Sequence, residues 1–180
     1  MDLGLSGRAA LITGGGRGIG AAIARELARE GCDVAVVDRD AFEAAEAVAQ
    51  EVRAAGRRAL AIRADVTSVP AAEASVETVV REFGRFDILV CNAGITRDAM
   101  LWKLSEAAWD EVLAVNLKGS FAYCRAAAPV FRAQKSGRIV TIASGVTGGR
   151  VTSYSPSIIS GTTRSTPGAP VTPISRPISW

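Results

Sequence analysis

The residues best suited to chemistry stand near the N-terminus, in Thr13-Gly14-Gly15-Gly16-Arg17-Gly18-Ile19-Gly20, between a short apolar run and a helical stretch. Glycines let a backbone turn tightly and approach a pyrophosphate, whose charge is then met by the amides and dipole of a helix N-terminus. Any tight strand-to-helix turn favours glycine, so a turn without a ligand is the plainer alternative. The context favours the phosphate. Asp38 ends the next apolar run, 18 residues after Gly20, where a carboxylate can accept hydrogen bonds from the adenosine ribose hydroxyls of NAD. The same carboxylate repels the 2′-phosphate of NADP, which makes NAD the preferred dinucleotide. Arg17 and Arg39 each offer a guanidinium that could pair with that phosphate, and they keep NADP open.

Composition removes several other chemistries. The chain has 180 residues and no histidine, so His-based triads, His metal sites and His acid–base catalysis are excluded. Cys32, Cys91 and Cys124 lie far apart in sequence and form no CxxC pair; they read as small buried hydrophobes in a reducing cytoplasm rather than a disulfide or zinc framework. Residues 1–111 hold 13 Lys/Arg and all 18 Asp/Glu, whereas residues 112–180 hold 8 Lys/Arg and no acid. The later positive charges are scattered singly, without clusters or aromatic interleaving, so no nucleic-acid partner is expected. No apolar run reaches the roughly 18 residues that span a bilayer, and Met1-Asp2-Leu3-Gly4 does not open a secretory leader. The expected location is the cytoplasm, with no membrane contact.

These residues need a framework, and the sequence supplies alternating elements. Residues 8–13, 33–38, 58–64, 87–91 and 137–143 are short apolar runs that predict strands. Between them, residues 18–29, 41–55, 71–83 and 105–133 predict helices, the last starting from an N-cap at Ser105. Strands apolar throughout and separated by helices mean a parallel sheet covered on both faces, an α/β fold of the Rossmann-like, doubly wound kind. This domain is expected over residues 1–150. From Val151 to Trp180 there are seven Ser, five Thr and five Pro, with no Leu, Lys, Asp or Glu. Such a segment has too little apolar mass to offset its ordering entropy and is expected to be a disordered tail.

The TGxxxGxG spacing of residues 13–20 resembles the cofactor loop of the short-chain dehydrogenase/reductase family, and further matches follow in family order. Asp65-Val66 looks like the pair that meets the adenine. Cys91-Asn92-Ala93-Gly94 resembles the family's NNAG turn with its first Asn replaced by Cys. Asn116, in VNLKGSF, matches the catalytic Asn, and Ser144, ending GRIVTIAS, matches the catalytic Ser. Residues 94–100 are most similar to the 3-oxoacyl-acyl-carrier-protein reductases and the related acetoacetyl-CoA reductases. The resemblance covers about residues 5–149. It implies a cofactor site of Thr13, Gly14, Gly16, Arg17, Gly18, Ile19, Gly20, Asp38, Arg39, Asp65, Val66, Asn92, Ala93 and Gly94. Asn92 and Gly94 have a bland reading as shapers of a turn, Asn116 as a surface amide, Ser144 as a strand-end cap and Asp65 as the start of a turn. Trp102 and Trp109 read as core or interface residues.

The implied activity is hydride transfer between a nicotinamide and a carbonyl or alcohol carbon, such as that of a 3-oxoacyl thioester. In the family a Tyr protonates the carbonyl oxygen and a Lys four residues later lowers its pKa; the Ser hydrogen-bonds the reacting oxygen and the Asn holds a water. The family's Tyr stands about 13 residues after the Ser, which is Ser157 here. Tyr154 is nearby but is followed four residues later by Ile158, and no lysine follows Lys135. The framework accordingly corresponds to five strands of the family's usual seven, and loss of a general acid costs about 10²–10⁴ in rate. The chain is therefore expected to be inactive on its own. The alternative is a non-enzymatic dinucleotide-binding or interaction module that pairs with a full-length relative through the exposed long helix; a homo-oligomer through helix 105–133 is a separate expectation.

Overall fold

The computed structural model describes residues 3–143 of the protein. Five strands, β1 (Ala9–Thr13), β2 (Asp33–Asp38), β3 (Ala59–Arg63), β4 (Ile88–Cys91) and β5 (Arg138–Thr141), form one parallel sheet in the order β3-β2-β1-β4-β5. Helices α1 (Gly18–Arg29), α2 (Phe42–Ala54) and α3 (Val69–Phe83) make the first three crossovers. The fourth is longer: a 3-10 turn at Leu101–Lys103, α4 (Glu106–Val112), a π-helical segment at Leu113–Lys118, and α5 (Gly119–Gln134). The Rossmann-like α/β fold expected from the alternating elements is the fold observed.

The sheet is doubly wound because its central strands are apolar on both faces. Leu11, Ala35, Val37 and Leu89 pack on one side against Val76, Val79 and Phe83 of α3 and Ala122, Tyr123 and Ala127 of α5. Ile12, Val34, Val36 and Val90 pack on the other side against Ala21 and Ala24 of α1 and Val48 and Val52 of α2. Burying each such Val or Leu side chain favours folding by about 1.5–3 kcal/mol.

Two carboxylates tie down the sheet end opposite the glycine loop. Asp33, at the start of β2, accepts from Arg57 Nη2 at 2.8 Å and Arg58 Nε at 2.8 Å. Asp87, before β4, accepts from Arg85 Nε at 2.6 Å, Arg8 Nη1 at 3.0 Å and the Ala9 N–H at 2.9 Å. Burial pushes the Asp87 carboxyl up, but Arg85, the Ala9 N–H and Arg8 outweigh it and hold it below the ordinary aspartate value.

Beyond shifts of one or two residues at other element ends, three features differ from the sequence expectation. Helix α3 begins at Val69 rather than residue 71, because Ser68 caps it by accepting from the Ala71 N–H and Pro70 fits the first turn. The single helix expected over 105–133 is interrupted by the π-helical segment. Of the core or interface roles expected for Trp102 and Trp109, the structure removes the core: both are exposed. Among the described residues, no helix is long and apolar enough to cross a membrane. Residues 151–180, expected as a disordered tail, lie outside the described residues.

Candidate functional site

The glycine loop joins β1 to α1 under tight steric limits. A Cβ on Gly20 would strike the Gly14 carbonyl oxygen and come within 2.5 Å of Asn92 Nδ2, so the first turn of α1 must sit directly beneath the loop. Gly18 has φ +55° with nothing within 4 Å of its absent Cβ. It serves the left-handed backbone there and leaves the approach to the helix open. No side chain caps α1 and no acid lies in its first turn. An uncapped, acid-free helix start beneath open space suits a pyrophosphate, because the first-turn N–H groups lack intrahelical partners and carry the positive end of the dipole.

A second loop, after β4, is stapled to the first. Thr13 Oγ1 accepts from the N–H groups of Asn92 at 3.0 Å and Ala93 at 3.1 Å. Asn92 Nδ2 returns two bonds, to the carbonyls of Thr13 and Gly14, both at 3.0 Å. Thr13 is 2% exposed, so these are interior bonds that fix the two loop backbones against each other. Asn92 is thus seen holding the turn. Gly94, the last residue of that turn, lies beside Asn116, whose Oδ1 would be 3.5 Å from a Cβ there.

The acidic side of the cleft begins at Asp38. Its Oδ1 accepts from the Ala41 N–H at 2.9 Å and its Oδ2 from the Gly16 N–H at 3.2 Å. Each oxygen retains a further lone pair, so the carboxylate can shape the loop and still accept from a sugar hydroxyl. Arg39 is bound on both sides, donating to both oxygens of Asp40 at 2.8 and 2.9 Å and to Asp65 Oδ2 at 3.0 Å. Asp65 Oδ1 accepts from the Thr67 N–H at 2.9 Å and its hydroxyl at 2.8 Å. Burial raises the Asp65 carboxyl, yet the two Thr67 bonds and Arg39 prevail and hold it below its ordinary value. Val66 packs against Gly119, where a Cβ would lie 2.9 Å from Val66 Cγ2, so this glycine lets α5 approach the strand end.

These elements enclose a cleft of about 290 Å³, lined by Gly14, Arg17, Ile19, Asp38, Arg39 and Asp65 together with Val66 and Asn92-Ala93-Gly94. It lies at the carboxyl ends of β1 and β4, where β1 has neighbours on both sides whose crossovers run in opposite directions. Ligands bind open α/β sheets at such a switch point. Thr13, Gly16, Gly18 and Gly20 are not among the residues that line it. Ile95 and Val115 also line it. Neither was singled out from sequence; Ile95 follows the NAG turn directly and Val115 precedes Asn116, so proximity to those motifs was the available signal. A larger groove of about 540 Å³ lies elsewhere, between α3 and α5.

Asn116 falls inside the π-helical segment, a feature frequent at functional sites. Its Oδ1 accepts from the Ile95 N–H at 2.9 Å and its Nδ2 donates to the Ile95 carbonyl at 3.0 Å, so the amide pins the loop after β4. Ser144 and Tyr154 lie outside the described residues. Tyr123 is fully buried in the core, where its hydroxyl meets Ser75 Oγ at 3.2 Å and burial pushes it up to about 12. It faces the core and not the cleft. The cysteines depart from the sequence expectation in one respect: Cys91 and Cys124, 33 residues apart, meet with their sulfurs at 4.0 Å.

A parallel doubly wound sheet with this glycine loop and cleft is a nucleotide-binding α/β fold. More specifically, the chain belongs to the short chain dehydrogenase family, whose profile matches residues 8–157. The 3-oxoacyl-[acyl-carrier-protein] reductase of Staphylococcus aureus (strain Mu50) is 45% identical over 137 residues, covering 76% of this chain and 56% of the relative. A hydroxynaphthalene reductase of Aspergillus fumigatus is 40% identical over 165 residues, covering 89% of this chain and 60% of the relative. Among solved structures, a short chain dehydrogenase from Burkholderia cenocepacia in complex with NADP is 44% identical with a TM-score of 0.71, covering 76% of this chain and 55% of that one. The chain therefore spans little more than half the length of the relatives it matches.

Proposed function

We propose that the chain is the dinucleotide-binding portion of an NAD(P)-dependent oxidoreductase of the short-chain type, which transfers hydride between the nicotinamide and a carbonyl or alcohol such as a 3-oxoacyl thioester. The observation that carries this reading is the stapled pair of loops at the switch point, with an uncapped, acid-free helix start below and Asp38 at one end. The backbone amides at the start of α1 would hold the pyrophosphate and Asp38 the adenosine ribose. Asp65 and Val66 would border the adenine, and Asn92, Ala93 and Gly94 would shape the far side of the cleft. The bound dinucleotide supplies or accepts the hydride; this chain's described residues bind and orient it. Relatives named as 3-oxoacyl-[acyl-carrier-protein] reductase support the acyl thioester substrate class.

NAD is the preferred dinucleotide in this reading, because Asp38 presents its charge where NADP carries a 2′-phosphate and Arg39 is already committed to Asp40 and Asp65. The relative bound to NADP supports the other choice. Ser144 and Asn116 would face the reacting carbonyl oxygen and its proton relay. Ser157 stands where the family's Tyr is expected and no Lys follows, so turnover by this polypeptide alone is expected to be negligible. Reducing surroundings such as the cytoplasm suit its three thiols.

The test is titration with NADH and NADPH, read by cofactor fluorescence and the melting temperature. Saturable binding with NADH tighter is expected, and Asp38→Ala should move the NADH/NADPH affinity ratio toward NADPH by about tenfold, the weight of one screened charge contact. A cooperatively melting protein that binds neither overturns the assignment. Substrate-dependent oxidation of NADH that Ser144→Ala abolishes would overturn the inactivity.

A further inference from the structure

Cys91 ends β4 and Cys124 lies on α5 two turns beyond Asn116, and their sulfurs are 4.0 Å apart. Cys91 is buried at 2% exposure, and its thiol also lies 3.9 Å from the Ser120 carbonyl oxygen. Cys124 is only partly buried. The pair thus joins a buried cysteine to a partly buried one. The two thiols do not share their protons evenly. The contact with Cys124 and burial push the Cys91 thiol up, whereas the same contact draws Cys124 below the ordinary cysteine value against its own partial burial. Cys124 is the less buried of the pair and the side from which an oxidant can approach, and thiolate character at an approachable cysteine is what makes it reactive toward oxidants.

We propose that Cys91 and Cys124 form a redox-active dithiol which a peroxide closes to an intramolecular disulfide, and that closure weakens dinucleotide binding. In the first step the Cys124 thiolate attacks the peroxide, breaking the O–O bond; Cys124 becomes a sulfenic acid and hydroxide leaves to take up a proton. In the second, Cys91 loses its proton and its sulfur attacks the Cys124 sulfur. The S–S bond forms, the S–O bond breaks and a second water leaves. The two thiols have been oxidised by two electrons and the peroxide reduced to two waters. A disulfide holds its sulfurs about 2.05 Å apart, so closure removes about 2 Å of separation, shared between rotation of the two side chains and movement of the backbone at α5 and the end of β4. The residue after Cys91 is Asn92, whose side chain holds the Thr13 and Gly14 carbonyls, and Asn116 of the same helical stretch holds Ile95. Whatever part of the closure the backbone takes up therefore falls at the base of both loops that form the cleft. This second half rests on the dinucleotide reading above; the disulfide does not. Cys32, fully buried with its thiol donating to the Leu5 carbonyl at 3.4 Å, has no second sulfur beside it and serves as an internal reference.

The experiment treats the full chain with hydrogen peroxide, removes the excess, denatures, and counts free thiols while peptide mass spectrometry locates the modification. The expected result is a fall from three thiols to one, a peptide pair joining Cys91 to Cys124, no covalent dimer, and recovery of all three with dithiothreitol. Cys124→Ser should keep both remaining thiols under the same treatment, and Cys91→Ser should leave a Cys124 sulfenic acid that dimedone traps. These counts do not depend on dinucleotide binding. NADH titration of the oxidised and reduced forms should then show several-fold weaker binding after oxidation, restored on reduction. Three intact thiols, separate over-oxidation of Cys124, or disulfide-linked dimers overturn the proposal. A closed disulfide with unchanged NADH affinity overturns the switch, and a reduced form that binds no dinucleotide marks failure of the cofactor reading instead.

Discussion

One hydroxyl, that of Thr13, accepts two backbone N–H groups from another strand's loop. Thr13→Val keeps the shape and removes the acceptor, leaving the Asn92 and Ala93 N–H groups unsatisfied in a buried place. At about 1–3 kcal/mol for each of the two orphaned donors, the variant should lose about 2–6 kcal/mol in urea unfolding, while Thr13→Ser should lose far less. A Thr13→Val protein as stable as wild type would remove the staple from the account. Asp87 makes a prediction in pH. Its folded carboxyl titrates below the unfolded value of about 3.9, so its stabilising contribution is complete above that pH and is lost as the pH falls through the folded value. The stability gap between wild type and Asp87→Asn should therefore be full at about pH 6 and shrink below about pH 4, as followed by urea midpoints across that range.

At the level of elements, α5 ends on a residue in a conformation that suits glycine better than lysine: Lys135 has φ +53° and caps the helix through N–H bonds to the Arg132 and Phe131 carbonyls. Left-handed backbone costs a side-chain-bearing residue about 1–2 kcal/mol, part of which glycine returns through its freer unfolded chain. Lys135→Gly should thus gain about 0.5 kcal/mol, seen by calorimetry as a rise of about 1–2 °C, while Lys135→Ala should gain nothing. This conformation left no mark in the sequence, because an exposed lysine at a helix end is commonplace. The strands were legible, since DVAVVD and ILVC can only be buried on both sides of a sheet. The start of α3 was misplaced by two residues although Ser68 and Pro70 announce it. The π-helical segment was invisible, because its residues Leu113–Lys118 keep the composition of an ordinary helix. The glycine loop and Asp38 were readable from spacing, whereas the Asn116–Ile95 pairing and the Cys91–Cys124 contact depend on how α5 lies across the sheet, which no local spacing encodes.

Across the described residues, exposed apolar groups gather along one helical stripe and on the edge strand. Trp109, Leu113, Leu117 and Phe121 recur at four-residue steps along the helical stretch, with exposures between 38% and 66%, and Ile139, Val140 and Ile142 are 39–48% exposed on and beside the edge strand β5. Apolar helix faces and strand edges of this size associate, and self-association through residues 105–133 is the outcome proposed for this chain. Leu117→Glu combined with Phe121→Glu should lower the sedimentation coefficient toward the monomer value without changing the far-UV circular dichroism. A wild type that sediments as a monomer at high concentration would refute the association.

The strand order carries a consequence in time. Because β1 pairs with β2 on one side and β4 on the other, its second edge stays unfilled until Ile88–Cys91 has been made, about 75 residues after Thr13. At ribosomal rates of about 5–20 residues per second, the nascent chain carries that bare edge for roughly 4–15 seconds. The β3-β2-β1 half can assemble meanwhile, so the interval in which this protein is most open to wrong partners occurs during its own synthesis, with its most buried strand as the exposed surface.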